Sequence, residues 1–373
     1  MKIVIATDSF KGCLSSLDAG NSIKNGILRS IPDAGIKVFP ISDGGEGLSE
    51  ALKKHFNTEP IETEVTGPEF DKVRTSYGFS PDKKLAVIEM AAAAGLPLVK
   101  GKKDAEKTTT YGVGELIADA LGRGAREFVI GIGGSATNDG GTGMLSALGF
   151  RFLDKNGNDV SKNALGLKDL ASIDISGAGQ GLEKTSFTVA CDVDIPLCGE
   201  NGCSVIFAPQ KGAGLKEIEE MDRWLSNYAA LTKKIFPDSD MNYPGSGAAG
   251  GMGFALRSYL NAELKPGIDI VISLLGLEKE IQDADIVVTG EGRIDSQTAR
   301  GKVVSGITRI AEKYGKPVIA FCGSAAEDAA DCGLAGIYPV TPPGMCLEEA
   351  MKKETAIKNI ESAAEKYAKS CGF

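Results

Sequence analysis

One arrangement recurs along this chain: a short apolar run, a turn rich in glycine and acidic residues, and then a helical pattern. The apolar run and turn are KIVIA with TDSFKG, IKVFPI with SDGGEG, EFVIGI with GGSATNDGG, and ADIVVT with GEGRIDSQTARG, and a further run, KPVIAFCG, follows. Strands that alternate with helices of about 10–15 residues predict βαβ units around a parallel sheet. Because ligands bind at the carboxyl ends of such strands, the polar turns mark the candidate site.

The middle of the chain follows a different pattern. Residues 60–90 alternate polar and apolar side chains between turn signals, which predicts antiparallel strands, and residues 155–210 contain shorter candidate strands such as SFTVACDV and CSVIFA. We therefore predict an α/β protein with a discontinuous Rossmann-like parallel-sheet domain, residues 1–66 and 285–373. A mixed α/β domain, residues 67–284, is expected as an insertion, with the active site in the cleft between the two.

The composition restricts the partners of the chain. Among 373 residues, 50 acidic side chains outnumber 41 basic ones, which argues against nucleic acid and against an anionic membrane surface as a partner. No apolar run approaches the roughly 18 residues of a membrane span, and the first run is too short for a signal peptide, so a cytoplasmic protein is expected. The eight cysteines contain no CxxC pair and predict reduced thiols. The oligomeric state stays open, a homo-oligomer included.

The single histidine narrows the chemistry. His55 ends the helical pattern LSEALKKHF, where a cationic side chain is favoured without any catalytic role. A Ser-His-Asp triad and a histidine-based metal site are therefore disfavoured. Acid–base chemistry falls to carboxylates, and a bound metal is expected to be a hard ion with oxygen ligands.

Each polar turn carries a carboxylate, and most turns place glycines beside a predicted helix start. The candidate residues are Asp8, Ser9, Lys11, Asp43, Gly44, Gly133, Gly134, Ser135, Thr137, Asn138, Asp139, Gly140, Gly141, Asp192, Glu291, Arg293 and Asp295. Glycine lets backbone amides approach an anion, carboxylates hold Mg²⁺, and Lys or Arg offsets charge on a phosphoryl group. This combination without histidine favours phosphoryl transfer over acyl or hydride transfer. One such turn is commonly only a turn, so the inference depends on their repetition at strand ends.

Several further signals stay weak. GIGGSA lacks the last glycine of a GxGxxG dinucleotide fingerprint, and no GxxxxGK[ST] phosphate loop occurs. Glu89, which ends the predicted strand LAVIE, is either a further site acid or a helix-capping acid. Thr110 is a candidate N-cap for the helical pattern that follows it.

Taken together, the motifs of this chain resemble those of the bacterial glycerate kinase family. They run in order from residue 8 to residue 302: DSFKG, SDGGEG, VIEMAAAAGL, TTTYGVGEL, IGGSATNDGG, CDVDIPLCGENG, FAPQKGA, GAAGGMGFAL and TGEGRIDSQTARGK. The resemblance implies the two-domain glycerate kinase fold and ATP- and Mg²⁺-dependent phosphorylation of (R)-glycerate to 2-phosphoglycerate. Formation of 3-phosphoglycerate and a kinase for another small hydroxy acid remain alternatives. A non-catalytic sugar-acid sensor is disfavoured, because the acids of the turns are retained.

The roles expected of these residues follow from what that reaction needs. Asp192 or Asp8 is the expected base, with Lys11 holding the carboxylate or the transferring phosphoryl group. Further substrate contacts are expected from Ser9, Asp43, Gly44, Arg293 and Asp295. The ATP phosphates are expected at Gly133, Gly134, Ser135, Thr137, Asn138, Gly140 and Gly141. Metal binding is expected at Asp139, Glu291 and Asp192.

Overall fold

The computed structural model describes residues 1–42, 47–179, 181–295, 303–326 and 333–370. The strands in these ranges are β1 (Lys2–Thr7), β2 (Gly35–Pro40), β3 (Glu59–Thr66), β4 (Lys72–Ser80), β5 (Leu85–Glu89), β6 (Glu127–Gly131), β7 (Arg151–Leu153), β8 (Ser172–Asp174), β9 (Ser186–Ala190), β10 (Glu263–Lys265), β11 (Ile286–Ile294), β12 (Val318–Ala325) and β13 (Gly336–Pro339). The α-helices are α1 (Ser16–Leu28), α2 (Leu48–Phe56), α3 (Ala91–Ala94), α4 (Tyr111–Gly122), α5 (Thr142–Ala147), α6 (Ala164–Leu167), α7 (Cys203–Phe207), α8 (Leu215–Ile235), α9 (Ala248–Leu260), α10 (Gly267–Leu274), α11 (Leu277–Gln282), α12 (Val303–Lys313), α13 (Leu347–Ala350) and α14 (Lys353–Ser370). Short 3₁₀ helices cover Leu96–Leu98, Leu182–Lys184 and Pro209–Lys211.

The chain divides into two compact units. Unit 1 comprises Met1–Asp43, Glu50–Leu52 and Ile268–Phe373, and unit 2 comprises Gly44–Ser49 and Lys53–Gly267. The expected divisions after residues 66 and 284 differ from these. β3 pairs along its length with β4, so it belongs to the sheet of unit 2, whereas the segment that forms α10 and α11 belongs to unit 1.

Unit 1 is built on a parallel sheet with the strand order β13-β12-β11-β1-β2. Apolar residues fill β1 and are buried on both of its faces, as in a sheet covered on both sides. Helix α1 begins where the Ser15 side chain accepts a hydrogen bond from the Asp18 N–H. It packs with α14 on one face of the sheet, in a core that includes Ile23, Phe321 and Ile360. Since β2 lies on one side of β1 and β11 on the other, the β1–β11 junction is the topological switch point of the sheet.

Unit 2 contains a mixed sheet with the strand order β10-β9-β6-β5-β4-β3. β3, β4 and β5 pair antiparallel, whereas β5, β6, β9 and β10 pair parallel. Neighbouring strands of the parallel part carry Phe128 and Phe187, whose rings stack with centroids 4.9 Å apart. The prediction of an α/β protein with a parallel sheet and a second region of mixed α/β type is confirmed, as are the antiparallel strands within residues 60–90.

One predicted strand is wrong. SFTVACDV contains β9, but CSVIFA forms helix α7. Cys203 and Ser204 are buried, whereas Val205 and Ile206 are exposed. Two buried residues followed by two exposed residues match the period of a helix, whereas in a strand buried and exposed residues would alternate one by one. Unit 2 packing therefore overrides the β-branched composition of this segment.

None of the helices in the described ranges is long and apolar enough to cross a membrane.

The cysteines within the described ranges are free thiols: Cys13, Cys191, Cys198, Cys203, Cys322 and Cys346. Burial raises the pKa of Cys198 and of Cys203 to about 12, so both remain protonated and unreactive at neutral pH.

Candidate active site

A pocket of about 540 Å³ lies at the carboxyl ends of β1, β11 and β12 in unit 1. It is located at the switch point, where an open parallel sheet leaves room for a ligand. The predicted residues that line it are Asp8, Ser9, Lys11, Glu291, Arg293 and Asp295. The DSFKG turn and the EGRID turn, which are more than two hundred residues apart in the sequence, thus meet in one cavity.

Strand pairing sets the positions of two acids in the pocket. β1 and β11 run parallel with Thr7 opposite Gly290, so Asp8 and Glu291 come next at the same edge of the sheet. The Asp8 N–H donates to the Gly290 carbonyl at 2.9 Å, and Asp8 Oδ1 accepts from the Ser9 N–H at 2.6 Å. Both acidic residues are only 7% exposed. The pocket therefore holds two carboxylates that are largely shielded from bulk water.

Two basic side chains line the same pocket and are more exposed. Lys11 lies on the exposed part of the DSFKG turn. The Arg293 side chain is 68% exposed, and its Nε lies 3.4 Å from Asp295 Oδ2. Exposed cations beside shielded carboxylates suit an anionic ligand that must also lose a proton.

Sequence reasoning missed other residues of the pocket wall. Ser324 lies near the end of β12, so the strand-end rule that selected Glu291 would also have found it. Asn359 reaches the pocket from α14, and no local pattern marks it. An apolar part of the wall is formed by Met345, Leu347 and Met351. The pocket is therefore larger and more apolar on one side than the polar turns alone suggest.

A buried thiol beside Glu291 is inert. Cys322 lies opposite Glu291 in the β11–β12 register. Burial, followed by the negative charge of Glu291, raises the pKa of Cys322 to about 12. The thiol therefore stays protonated at neutral pH and does not serve as a nucleophile.

The GGSATNDGG turn joins β6 to α5 in unit 2, and most of it is buried. Gly133 and Gly134 are exposed, and Ser135 is 7% exposed. Thr137 and Asn138 are fully buried, and Asn138 Nδ2 donates to Ser204 Oγ at 2.9 Å. Only the first three residues of this turn are therefore open to a ligand.

Asp139 has a structural position, contrary to the metal-binding role expected of it. It is fully buried, and its Oδ2 accepts from the Thr110 N–H at 2.9 Å and from the Thr110 hydroxyl at 2.8 Å. Backbone N–H groups of Gly141 and Gly143 donate to the same carboxylate at 3.0 and 3.3 Å. Burial raises its pKa, while these hydrogen bonds oppose the shift. The carboxylate thus fixes the start of α4 and of α5, and its oxygens are already occupied.

The last glycines of the turn serve packing. Gly140 has a φ of +65°, and a Cβ there would lie 2.9 Å from Leu225 Cδ2. Gly250, with a φ of +68°, approaches from the GAAGG segment, where a Cβ would lie 2.1 Å from the Thr137 carbonyl oxygen. Both positions require glycine because the backbone is left-handed and the space is filled. The inner half of the turn is therefore sealed by α8 and by the start of α9.

A buried lysine that the sequence did not single out contacts this turn. Lys211, in the FAPQKGA segment, is 2% exposed. Its ammonium donates to Ser135 Oγ at 2.8 Å and to the Thr137 carbonyl at 2.6 Å. Burial lowers its pKa to about 8, although Cys203 and Asp139 oppose the shift. In the sequence, the one feature that could have drawn attention to Lys211 is its position just after the apolar run VIFAP.

The remaining predicted residues are placed as follows. Asp192 is exposed in unit 2, two residues beyond β9, and its Oδ1 accepts from the Gly267 N–H at 2.9 Å. Glu89 accepts from the Ser49 N–H at 2.9 Å and so caps the first turn of α2. Thr110 is the N-cap of α4, but its hydroxyl bonds to Asp139. Asp43 and Gly44 lie outside the described residues.

The donor set of the unit 1 pocket fits a magnesium ion. Within the described ranges, no three His, Cys, Asp or Glu side chains converge as a metal site. Mg²⁺ at phosphoryl-transfer sites is usually held by one or two carboxylates together with substrate phosphates and water. Asp8 and Glu291 provide such carboxylates at the pocket.

Comparison with known proteins decides the family. The model of the glycerate kinase family matches residues 3–371 of the chain. The chain belongs to the glycerate kinase family. Its membership confirms the resemblance seen in the motifs and makes the chain a kinase of this family.

Individual relatives agree along almost the full chain. The glycerate kinase of Bacillus subtilis (strain 168) is 44% identical over 374 residues, with 99% of this chain and 97% of that protein covered. The glycerate 2-kinase of Escherichia coli (strain K12) is 48% identical, with 94% and 93% covered. A crystal structure provisionally named glycerate kinase 2, from Salmonella typhimurium LT2, has a TM-score of 0.91 at 45% identity, covering 100% of this chain and 98% of that one. The predicted glycerate kinase fold is thereby confirmed.

Proposed function

We propose that this member of the family is a cytoplasmic, ATP- and Mg²⁺-dependent kinase that phosphorylates the 2-hydroxyl of (R)-glycerate. The observation that carries the proposal is the unit 1 pocket, in which Asp8, Glu291, Lys11 and Arg293 line one cavity. The pocket supplies a candidate base, a candidate metal ligand and two cations, which are the groups that phosphoryl transfer to a hydroxy acid requires.

Glycerate is expected to bind through its carboxylate. Lys11 and Arg293 are the cations that line the pocket, and Ser9 adds a hydroxyl beside Lys11. Arg293 also pairs with Asp295, at 3.4 Å from Nε to Oδ2. The 2-hydroxyl sits on the carbon next to the carboxylate, so holding the carboxylate also fixes that hydroxyl. The name glycerate 2-kinase of the Escherichia coli relative supports the same choice of hydroxyl.

Proton removal is assigned to Asp8. This carboxylate is largely shielded and lines the same cavity as Lys11. Asp192, the other expected base, is exposed and lies in unit 2, so Asp8 is the stronger choice from position alone. Glu291, with Asp8 beside it, would hold Mg²⁺. When bound, the ion offsets negative charge on the phosphates.

The ATP phosphates are assigned to the exposed start of the GGSATNDGG turn. Gly133 and Gly134 leave their backbone open to solvent, and Ser135 adds a hydroxyl at its inner edge. Backbone amides and a hydroxyl of this kind suit phosphate oxygens. Thr137, Asn138, Gly140 and Gly141 would support the turn from within, without contact to the nucleotide.

A larger hydroxy acid is the second candidate substrate. Glycerate is much smaller than the pocket, and Met345, Leu347 and Met351 form an apolar wall that glycerate alone would leave uncovered. A substrate panel that includes longer and more apolar 2-hydroxy acids distinguishes the two candidates.

An ADP-release assay with ATP, Mg²⁺ and (R)-glycerate tests the proposal, with the product identified by ³¹P–¹H NMR. Phosphate on carbon 2 is the expected result. Phosphate on carbon 3 would support the kinase activity but contradict the 2-hydroxyl as the acceptor. Absence of turnover with both glycerate enantiomers, while a longer hydroxy acid reacts, would replace glycerate by the second candidate. If the folded protein releases no ADP with any of these acids, the proposed kinase activity is contradicted and a sugar-acid sensor is favoured.

A further inference from the structure

We propose that Lys211 is a positioning residue for nucleotide binding: it turns the Ser135 hydroxyl proton outward, where it donates to a phosphate oxygen of a nucleoside triphosphate. This inference rests on the proposed function, since it needs the exposed start of the GGSATNDGG turn to hold the phosphates. It assigns a role to a residue that stands outside the candidate set derived from the sequence.

The hydrogen bond between Lys211 and Ser135 has a fixed direction. An ammonium group has donors only, so Ser135 Oγ must accept the 2.8 Å hydrogen bond from Lys211. The hydroxyl keeps its own proton for another acceptor, and within the part of the chain that the structure describes it makes no second hydrogen bond. Ser135 is 7% exposed and directly follows the two exposed glycines of the turn. Its free proton therefore suits an acceptor that arrives from solvent, such as a phosphate oxygen.

Burial of the Lys211 ammonium costs free energy. Lys211 is 2% exposed and, among the described residues, forms no ion pair. A buried ammonium whose hydrogen bonds go only to neutral oxygens is costly, and the negative charge of Asp139 offsets only part of that cost, because the Lys211 pKa is still lowered. Its second bond, to the Thr137 carbonyl at 2.6 Å, fixes the backbone two residues further along the same turn. Through these two hydrogen bonds the lysine holds the turn in the conformation that presents the Ser135 hydroxyl.

Two further polar atoms of the same turn, Thr137 Oγ1 and Asn138 Oδ1, are buried without hydrogen-bond partners in the described part of the chain. Buried polar atoms without partners cost free energy, and strain or an ordered water or ion accounts for them where they occur. Here they lie in the same turn as the Lys211 contacts, which is consistent with a turn held in a conformation that its own packing does not favour.

Kinetics of four single variants and one double variant test the proposal. Lys211→Met removes the charge and the donors at similar length, Lys211→Gln keeps a shorter neutral donor, and Ser135→Ala removes the hydroxyl. Lys103→Met is the matched control, because Lys103 contacts the same segment from the exposed side through the Gln210 carbonyl. For each folded variant, KM is measured for ATP and for (R)-glycerate, and ADP affinity is measured by calorimetry.

The expected result is a split between the two substrates. Lys211→Met and Ser135→Ala should each raise the KM for ATP and weaken ADP binding by about tenfold or more, as for a lost hydrogen bond to a charged group. The KM for glycerate and all constants of Lys103→Met should change less than about twofold. The double variant Lys211→Met/Ser135→Ala should be no weaker than either single variant, because both act through one hydroxyl. Lys211→Gln should fall between Lys211→Met and the wild type.

Other outcomes distinguish a wrong phosphate site from a wrong role for Lys211. Turnover by the wild type with an unchanged ATP KM in Ser135→Ala would place the phosphates elsewhere and overturn both assignments at this turn. An effect of Ser135→Ala with none of Lys211→Met, or a fully additive double variant, would overturn the role of Lys211 alone. If Lys211→Met does not fold, Lys211→Gln with Ser135→Ala completes the same cycle.

Discussion

The DSFKG turn of unit 1 and the GGSATNDGG turn of unit 2 look alike in sequence but differ in burial. Each follows a buried strand and joins an acid, a hydroxyl and glycine before a helix. In unit 1 the acid Asp8 lines a pocket, whereas in unit 2 the acid Asp139 is fully buried and hydrogen-bonded by the chain. The same residue types thus line a candidate active site in unit 1 and stabilise a buried turn in unit 2. The following experiments challenge or refine that contrast.

The largest effect is expected at the unit 1 acid. Asp8→Asn should lower kcat by about 10²–10⁴, because the proposed base is lost while the shape of the side chain is kept. Steady-state kinetics with ATP and (R)-glycerate measure it. Asp18→Asn, which removes an exposed acid paired with Lys353 at 2.7 Å in the same unit, is the control and should leave kcat unchanged. An unchanged kcat in Asp8→Asn together with a large loss in Asp192→Asn would transfer the role of base to Asp192.

The unit 2 acid is expected to affect folding more than catalysis. Asp139→Ala should lower the free energy of unfolding by about 3 kcal/mol or more, because buried N–H and O–H donors of Thr110, Gly141 and Gly143 lose their acceptor. Denaturant unfolding measures the change. Asp154→Ala, at an exposed turn where the Asn156 and Asn158 N–H groups donate to the acid, should lose much less. A fully stable Asp139→Ala with lost Mg²⁺ dependence would instead restore the metal role of Asp139.

The buried lysine of unit 2 predicts a pH dependence of stability. Burial lowers the Lys211 pKa from 10.5 to about 8, so between these values the unfolded chain binds more protons than the folded one. The free energy of unfolding should therefore gain about 2–3 kcal/mol from this group as pH rises from 8 to 10.5, and the penalty is fully present below pH 8. Denaturant unfolding of the wild type and of Lys211→Met across this range measures the difference. Parallel curves for the two proteins would show that Lys211 is not desolvated as the structure indicates.

The smallest effect is expected at the exposed cation of unit 1. Lys11→Met should raise the KM for (R)-glycerate by about tenfold and leave the KM for ATP nearly unchanged, as for loss of one charge-assisted hydrogen bond to a carboxylate. Lys37→Met, an exposed lysine of β2 that pairs with Glu280, is the matched control. An equal rise in both KM values would mean that Lys11 does not distinguish the acid from the nucleotide.

The unit 1 site can be predicted from the sequence because its residues directly follow recognisable strands. Strand ends can be located from apolar runs, and parallel strands bring their ends to one edge of the sheet, so Asp8 and Glu291 are both predicted as residues of the candidate site. The adjacent strand end would also have indicated Ser324 by the same rule. Asn359 could not be found in this way, because its position depends on how α14 packs over the sheet.

The interior of unit 2 could not be predicted, because burial there is decided by distant segments. Gly250 lies more than one hundred residues beyond Thr137 in the sequence, yet its backbone seals the inner side of that turn. Nothing near Asp139 indicates that Thr110 will occupy its oxygens, and nothing near Lys211 indicates that its ammonium will meet Ser135. An acid or a lysine at a turn is exposed by default, so local pattern alone favours the wrong environment for both residues.

A crystal structure with bound (R)-glycerate tests the central claim most directly, namely that the unit 1 pocket holds the hydroxy acid. We expect the glycerate carboxylate at Lys11 or Arg293, with the 2-hydroxyl within hydrogen-bond distance of Asp8. Glycerate bound away from Asp8 and Lys11, for example at Asp192 in unit 2, would contradict it.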